Sequence, residues 1–107
     1  MLKGHLEGML LAVLSEGPLH GYGIVEELHR QSGGHLSLPS GTIYPALHRM
    51  EQAGLVKSRW ATVGGRRRRE YLLTATGKRG LSEHRRSWNQ LVWIVTRVLE
   101  NGATAEP

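Results

Sequence analysis

Four consecutive arginines, at positions 66–69, follow a pair of glycines and are the residues of this chain best suited to bind an anion. Six of the fourteen Lys and Arg residues lie between positions 52 and 69, and no acidic residue lies there. Guanidinium groups pair with phosphate oxygens through two parallel hydrogen bonds. Because successive side chains on a strand point to opposite faces, only about two of the four point one way. Such a run is either a solvated hairpin or a phosphate-binding surface, and the neighbouring segment favours the second.

That neighbouring segment predicts a short helix over residues 40–53 with polar groups on its outer side. Pro45 has no N–H for a helix interior, so the sequence predicts that it lies in the first turn, with the N-cap at residues 40–42. Ile43, Leu47 and Met50 have the spacing of a buried face. A polar helix beside a cationic hairpin is the layout of a winged helix-turn-helix, which binds double-stranded DNA. The predicted DNA contacts are Ser40, Thr42, Tyr44, Pro45, His48 and Arg49 on the helix and Gly64, Gly65, Arg66, Arg67 and Arg68 on the hairpin.

The chemistry of these side chains suggests individual roles. His48 and Arg49 are candidates for base edges, since arginine pairs with guanine in the major groove. Tyr44 is adjacent to a core residue and therefore not fully buried, so its hydroxyl is expected to reach a phosphate. Thr42 either caps the helix or contacts a base. His20, near the start of the preceding helix, either contacts a phosphate or is structural.

The rest of the chain predicts the elements that position this surface. Two further helices are expected over residues 3–15 and 22–31, and the hairpin is expected to form a two-stranded wing. Residues 74–77 (TATG) are expected to form a turn and cap at the start of the last helix. At 107 residues the chain is one folding unit with a modest core. The predicted fold is mainly α: a winged helix-turn-helix over residues 1–74, a C-terminal dimerisation helix over 75–100 and a disordered tail over 101–107.

The last helix carries an apolar seam that predicts homodimerisation. Apolar residues recur at alternating steps of three and four, which is the heptad pattern of paired helices. Trp88 and the seam then have two interpretations. They form only the core of the dimer, or they also leave a ligand site between paired tryptophans, with Trp88 and Trp93 as its candidate residues. A chain this small can leave such a cavity only at a symmetric interface. An amphipathic membrane helix is a weaker interpretation, because the polar face has few lysines. The predicted dimer contacts are Leu81, Trp88, Leu91, Val92, Val95, Val98 and Leu99.

Composition excludes several other classes of function. The net charge of +5 favours an anionic partner. The chain has no cysteine, all nine acidic residues are glutamate, and no phosphate-binding loop is present, so neither an enzyme nor a bound cofactor is expected. The six histidines show no metal-ligand spacing. No apolar run approaches the length of a membrane span and no signal peptide is evident, so we expect a cytoplasmic protein without a membrane partner.

Three stretches of the sequence resemble the PadR family of bacterial transcriptional regulators. They are residues 19–22 (LHGY), 40–51 (SGTIYPALHRME) and 64–74 (GGRRRREYLLT), within a similarity that covers roughly residues 2–100. The resemblance is to the compact branch with a single C-terminal helix. It implies a winged helix, a homodimer formed through the last helix, repression of a nearby promoter, and an aromatic residue at the dimer centre, here Trp88, where some members bind flat apolar drugs. Trp93 departs from this pattern because it lies off the seam.

Two other functions remain open from the sequence alone. An architectural protein would bind nucleic acid without regard to sequence and with a steep salt dependence. A winged helix that binds only other proteins would not need the arginine run. The mixed polar outer face of the third helix favours base reading over an architectural role, and the arginine run disfavours a partner that is only protein. A sequence-specific regulator is therefore expected, and the resemblance implies that it is a repressor.

Overall fold

The computed structural model describes residues 4–104, which form four helices and three short strands. No helix in this part of the chain is long and apolar enough to cross a membrane. The elements, in chain order, are α1 (Leu6–Leu14), β1 (Leu19–His20), α2 (Gly21–Gln31), α3 (Ser40–Gln52), β2 (Val56–Val63), β3 (Arg66–Leu73) and α4 (Ala75–Thr104).

The core lies where α1, α2 and α3 meet the base of the β2–β3 hairpin. The predicted stripes are buried in α2 and α3, where Ile24, Ile43, Leu47 and Met50 are almost completely excluded from solvent. Apolar side chains recur every three or four residues, so one side of each helix is apolar and the other remains exposed to solvent. Burial of this kind contributes about 1.5–3 kcal/mol for each large aliphatic side chain. The complete core consists of Leu10, Leu11, Val13, Leu14, Ile24, Leu28, Ile43, Ala46, Leu47, Met50, Val56, Tyr71 and Leu81.

Helix α3 begins earlier than its proline suggested. Its N-cap is Pro39, whose carbonyl accepts the amides of Thr42 (2.9 Å) and Ile43 (3.2 Å), and no side chain caps the helix. The prediction of a cap at residues 40–42 is therefore wrong, and Pro45 is the sixth helical residue instead of a first-turn residue. The missing Pro45 amide would have bonded to the carbonyl of Gly41, four residues earlier. Gly41 lies in the exposed first turn, where water can take that place.

The sheet has one strand more than predicted. β3 pairs with β2 to form the expected hairpin, and its other edge pairs with the two-residue strand β1, in which Leu19 lies opposite Tyr71. Gly64 and Gly65 form the two-residue turn, and both have positive φ (58° and 78°). A turn with positive φ at both residues matches the twist of the two strands in a hairpin. Residues that carry a Cβ adopt this conformation only with strain, whereas glycine does not. We call the β2–β3 hairpin the wing.

Helix α4 leaves the wing directly and crosses α1. The Thr74 hydroxyl accepts the Gly77 amide at 3.0 Å and so caps the helix, as predicted. Gly8 of α1 allows the His84 ring to approach so closely that a Cβ at position 8 would collide with it. The helix ends at Thr104 and not at Glu100, so residues 101–104 are helical, contrary to the predicted disordered tail. Extending a helix already formed needs no new nucleus. The remainder of that tail, residues 105–107, lies outside the described residues.

Candidate nucleic-acid interface

The outer side of α3 presents a ridge of three exposed polar side chains, Tyr44, His48 and Gln52. They are four residues apart, so they lie in one row along the helix. Pro45 is exposed beside this row, and Ser40 is exposed in the first turn. The sequence analysis missed Gln52, although the four-residue step from His48 would have indicated it.

Tyr44 joins this ridge to the start of α2. Its hydroxyl and ring lie against the Cα of Gly21, where a Cβ would collide with them, while 46% of the residue remains exposed. Tyr22, in the first turn of α2, is 64% exposed, with its ring centroid 6.4 Å from that of His20. The two tyrosines therefore lie near the starts of two successive helices. The sequence analysis assigned no role to Tyr22, because a single aromatic residue at a helix start carries no periodic signal.

Thr42 and Arg49 belong to a different side of α3. Seven residues bring a helix almost back to the same direction, and both side chains line a depression of about 600 Å³ between α3 and α1, together with Leu6 and Glu7. Both are exposed. The helix contacts predicted from the sequence thus divide into the ridge and this flank.

The four arginines of the wing do not present four equivalent charges. Val63 pairs with Arg66 and Thr62 with Arg67, so the run alternates between the two faces of the hairpin. Glu70 lies between Arg59 (3.7 Å) and Arg68 (3.9 Å), and its carboxylate is only 14% exposed. Arg68, a predicted DNA contact, is therefore already partnered.

Arg69 is held by the third helix. Its Nε donates to the Ser58 hydroxyl at 2.9 Å, and that hydroxyl donates to Oε2 of Glu51 on α3 at 2.6 Å. The guanidinium itself is 4.0 Å from the same carboxylate. Among the described residues, Arg66 and Arg67 of the run form no ion pair with a carboxylate, so they are the two arginines whose charge is free for an outside anion.

An exposed tryptophan that the sequence analysis did not select also lies on the wing. Trp60 is opposite Arg69 in the sheet and 57% exposed, and its ring lies 4.9 Å from the guanidinium carbon of Arg67 and 5.5 Å from that of Arg69. The alternation of Val56, Ser58 and Trp60 places it on the face that touches α3. Trp60 follows the buried Val56 by four residues on the same face of β2. A tryptophan at such a position is normally a core residue, so its sequence position carries no functional signal.

The second half of α4 carries an apolar surface that nothing in the protomer covers. Six of the seven predicted dimer contacts are between 42% and 68% exposed. Leu81 is the exception, because it is 5% exposed and belongs to the core of its own protomer beside α1. Leu81 is therefore not available to a partner. The exposed members are Trp88, Leu91, Val92, Val95, Val98 and Leu99.

The two tryptophans of α4 do not line one slot within a protomer. A separation of five residues turns a helix by about 140°, so Trp88 and Trp93 are on different sides. Trp88 borders a groove of about 440 Å³ between α1 and α4, and the His5 ring stands edge-on to its indole with centroids 4.9 Å apart. Trp93 instead stacks with the guanidinium of Arg97 at 4.9 Å.

The surroundings of Glu27 and of Tyr71 shift the pKa of each side chain. Hydrogen bonds from Arg30 and Gln31 lower the pKa of Glu27 on α2 to about 2. Glu27 does not belong to the ridge, the flank or the wing. Burial, with a smaller contribution from Glu51, raises the pKa of the Tyr71 hydroxyl. No group of three His or Glu side chains in residues 4–104 is arranged to hold a metal ion. The surface formed by the ridge and the wing therefore offers the guanidinium groups of Arg66 and Arg67, the Tyr44 hydroxyl and the His48 imidazole to a partner.

The fold and this surface define a winged-helix protein. The family model described as "Transcriptional regulator PadR-like family" matches residues 10–83. The chain is also 40% identical, over 77 residues, to the transcriptional regulator Rv3488 of Mycobacterium tuberculosis, an alignment that covers 72% of this chain and 69% of that protein. The chain belongs to the PadR-like family of transcriptional regulators, as the resemblance predicted, and this family and fold are not those of enzymes.

Solved structures agree with this assignment. The PadR-like regulator BC4206 of Bacillus cereus superposes with a TM-score of 0.83 at 31% identity, covering 92% of this chain and 95% of that one. Bacillus subtilis PadR, solved in complex with operator DNA, superposes with a TM-score of 0.65 at 29% identity over 73% of this chain and 45% of its own. The near-complete overlap with the first confirms the mainly helical winged-helix fold and is consistent with the compact branch of the family.

Proposed function

We propose that this chain is a homodimeric, sequence-specific DNA-binding regulator that acts as a repressor at an inverted-repeat operator. One observation carries the proposal. The Glu51–Ser58 hydrogen bond of 2.6 Å joins α3 to the wing, and so brings the exposed ridge of Tyr44, His48 and Gln52 beside the wing face that bears the free Arg67. A polar ridge of this size fits a major groove, and a flanking cation fits the adjacent backbone.

The proposed contacts are of two kinds: some side chains would reach base edges, and others would bind the DNA backbone. His48 on the ridge and Arg49 on the flank would reach base edges. The Tyr44 hydroxyl and Ser40, Thr42 and Pro45 near the start of α3 would contact the DNA backbone. The turn at Gly64 and Gly65 would place the wing arginines at the neighbouring groove. Bacillus subtilis PadR, which shares this fold, was solved in complex with operator DNA, and this supports DNA binding by the present chain. Residues 1–74 form the DNA-binding unit in this proposal, and α4 forms the dimer.

Dimerisation is supported by the uncovered surface of α4. Six apolar side chains along about three turns of one helix form a stripe that a second copy, related by a two-fold axis, would cover with the same residues. The two copies of α3 would then face successive major grooves, about one helical turn of DNA apart. Inverted repeats are the operators that match such symmetry.

The test of this proposal is fluorescence anisotropy with DNA from upstream of the protein's own gene and a scrambled duplex, both at one salt concentration. A preference of about a hundredfold or more for the upstream duplex, with two protomers bound to each, supports a site-specific dimer. Equal affinity for both duplexes would favour the architectural alternative. Absence of binding at low salt would leave only a protein-binding winged helix.

We further propose that a planar apolar effector binds beside Trp88 and shifts the dimer between DNA-competent and incompetent states. Support comes from the groove between α1 and α4, which has an indole at one end and lies next to the exposed stripe. Quenching of tryptophan fluorescence by a planar aromatic dye, measured in Trp88→Ala and Trp93→Ala, identifies the ring involved. If Trp88→Ala kept dimerisation, dye binding and release from DNA, this second proposal would be withdrawn.

A further inference from the structure

The wing face that touches α3 carries a continuous series of contacts ending in a free guanidinium. Glu51 accepts from Ser58, Ser58 accepts from Arg69, and the Arg69 guanidinium lies over the Trp60 ring. On the same ring, Arg67 lies closer, at 4.9 Å from the centroid. Trp60 therefore stands between an arginine fixed to the third helix and one with no acidic partner among the described residues.

We propose that Trp60 is a positioning residue that holds the Arg67 guanidinium stacked and extended for a phosphate of the DNA backbone. This proposal rests on the proposed DNA binding and adds to it the residue that orients the wing cation. A free arginine side chain has many rotamers, and ordering one costs free energy that binding must supply. A guanidinium stacked flat on an indole keeps its edge N–H groups available, and those are the groups that pair with phosphate.

The location of Trp60 excludes a core role as its main one. With 57% of the residue exposed, the ring is not needed to fill the interior, whereas Val56 and Tyr71 nearer the base of the same face are buried. Arg66 supplies an internal comparison, because it points to the opposite face of the hairpin and has no ring contact among the described residues. Of the two arginines without an acidic partner, only Arg67 should therefore depend on Trp60.

The first experiment needs no DNA. In 15N–1H spectra of the arginine Nε–H groups of the full chain, Arg67 should be shifted by the indole ring current and should have a higher order parameter than Arg66. Trp60→Leu should remove both differences, Trp60→Phe should retain them in part, and Arg66 should be unchanged in either variant. An Arg67 signal that does not respond to Trp60→Leu would overturn the proposal.

The second experiment measures binding to a fluorescein-labelled 24-base-pair duplex of mixed sequence at low salt. A cation–π contact at an exposed site is worth about 0.5–1 kcal/mol, so Trp60→Leu should weaken binding about two- to fivefold, and Trp60→Phe less. In the Arg67→Ala background, Trp60→Leu should cause no further loss. Equal losses in both backgrounds would mean that Trp60 contacts DNA independently and would contradict the positioning role. If the unmodified protein bound no duplex, the proposed function itself would fail, which is a different result from normal binding by Trp60→Leu.

Discussion

The Ser58 hydroxyl on β2 donates a hydrogen bond of 2.6 Å to Oε2 of Glu51 on α3, and it simultaneously accepts one of 2.9 Å from Arg69. This single hydroxyl therefore fixes the wing to the helix that we propose reads DNA. Both partners are charged, and hydrogen bonds to charged groups are stronger than neutral ones. The distance between the ridge and the wing tip is set at this point.

Replacing Ser58 with alanine should weaken the connection between the wing and α3 and leave the packing of the core unchanged. We expect the free energy of unfolding to fall by about 1–2 kcal/mol, because two hydrogen bonds to charged groups are lost at a partly exposed site. Urea denaturation measures the change. Ser58→Thr keeps the hydroxyl and suits a strand, so it should lose much less. Equal stability of the alanine and threonine variants would show that the hydroxyl does not hold the wing.

The arginines of the wing should differ in their effect on DNA affinity. Arg66→Ala and Arg67→Ala should each weaken binding and reduce the slope of log K against log salt by about one, the contribution of one phosphate contact. Arg68→Ala should change the slope less, since Arg68 already lies beside Glu70. Arg79→Ala on α4 removes the same charge away from the wing and serves as the control. Equal slopes for the Arg66, Arg67 and Arg79 variants would exclude the wing as the phosphate contact.

Glu70→Gln should increase affinity for DNA of any sequence. The carboxylate lies 3.7 Å from Arg59 and 3.9 Å from Arg68, so its neutralisation frees two guanidinium groups for phosphates. We expect a severalfold tighter complex with a scrambled duplex and a steeper salt dependence, measured by anisotropy. Glu83→Gln, an exposed position on α4, makes the same change in net charge and separates the local effect from the general one. The prediction is wrong if the two variants bind equally well.

Gly21→Ala should displace Tyr44, because the new Cβ would occupy the position of the tyrosine hydroxyl. Overpacking of this kind costs about 1–3 kcal/mol of stability. Gly41→Ala is the matched control: no atom lies within 4 Å of its Cβ position, so alanine there should be neutral or stabilising. Thermal unfolding compares them, and the double variant Gly21→Ala, Tyr44→Ala should recover stability. If the double variant did not recover stability, a clash with Tyr44 would not be the cause of the loss in Gly21→Ala.

Adding a carboxylate to the apolar stripe of α4 should dissociate the proposed dimer. Val95→Glu introduces a charge that a partner helix would have to bury without a counter-ion, at a cost of several kcal/mol. Sedimentation at micromolar concentration should then show a monomer. Gln90→Glu adds the same charge at an exposed position outside the stripe and should leave the dimer intact. A Val95→Glu protein that sediments as a dimer would place the interface elsewhere.

The sequence predicted the features that depend on local chemistry. The Gly64-Gly65 turn, the Thr74 cap and the buried side of α3 follow from φ preferences, capping and helical periodicity within a few residues of one another. The start of α3 was mispredicted because Pro45 was treated as a first-turn residue, whereas tertiary packing of Ile43 and Leu47 outweighs one lost hydrogen bond.

Features that depend on distant partners were not accessible from the sequence. The pairing of β1 with β3 joins residues about fifty positions apart, and a two-residue strand has no pattern of its own. Leu81 has heptad spacing with the exposed stripe, yet α1 covers it. Likewise, only the fold shows that Glu70 engages Arg68 and that Glu51 and Ser58 engage Arg69, so the sequence could not separate these two arginines from Arg66 and Arg67.

A hydroxyl-radical footprint of this protein on DNA from upstream of its own gene tests the central claim most directly. A symmetric dimer that inserts two copies of α3 should protect two related patches about one helical turn, 10 base pairs, apart, with flanking protection from each wing. Arg67→Ala should remove the flanking protection and keep the central patches at a higher protein concentration. Uniform protection of the whole duplex, or none at concentrations that saturate anisotropy, would contradict a dimeric, site-specific regulator.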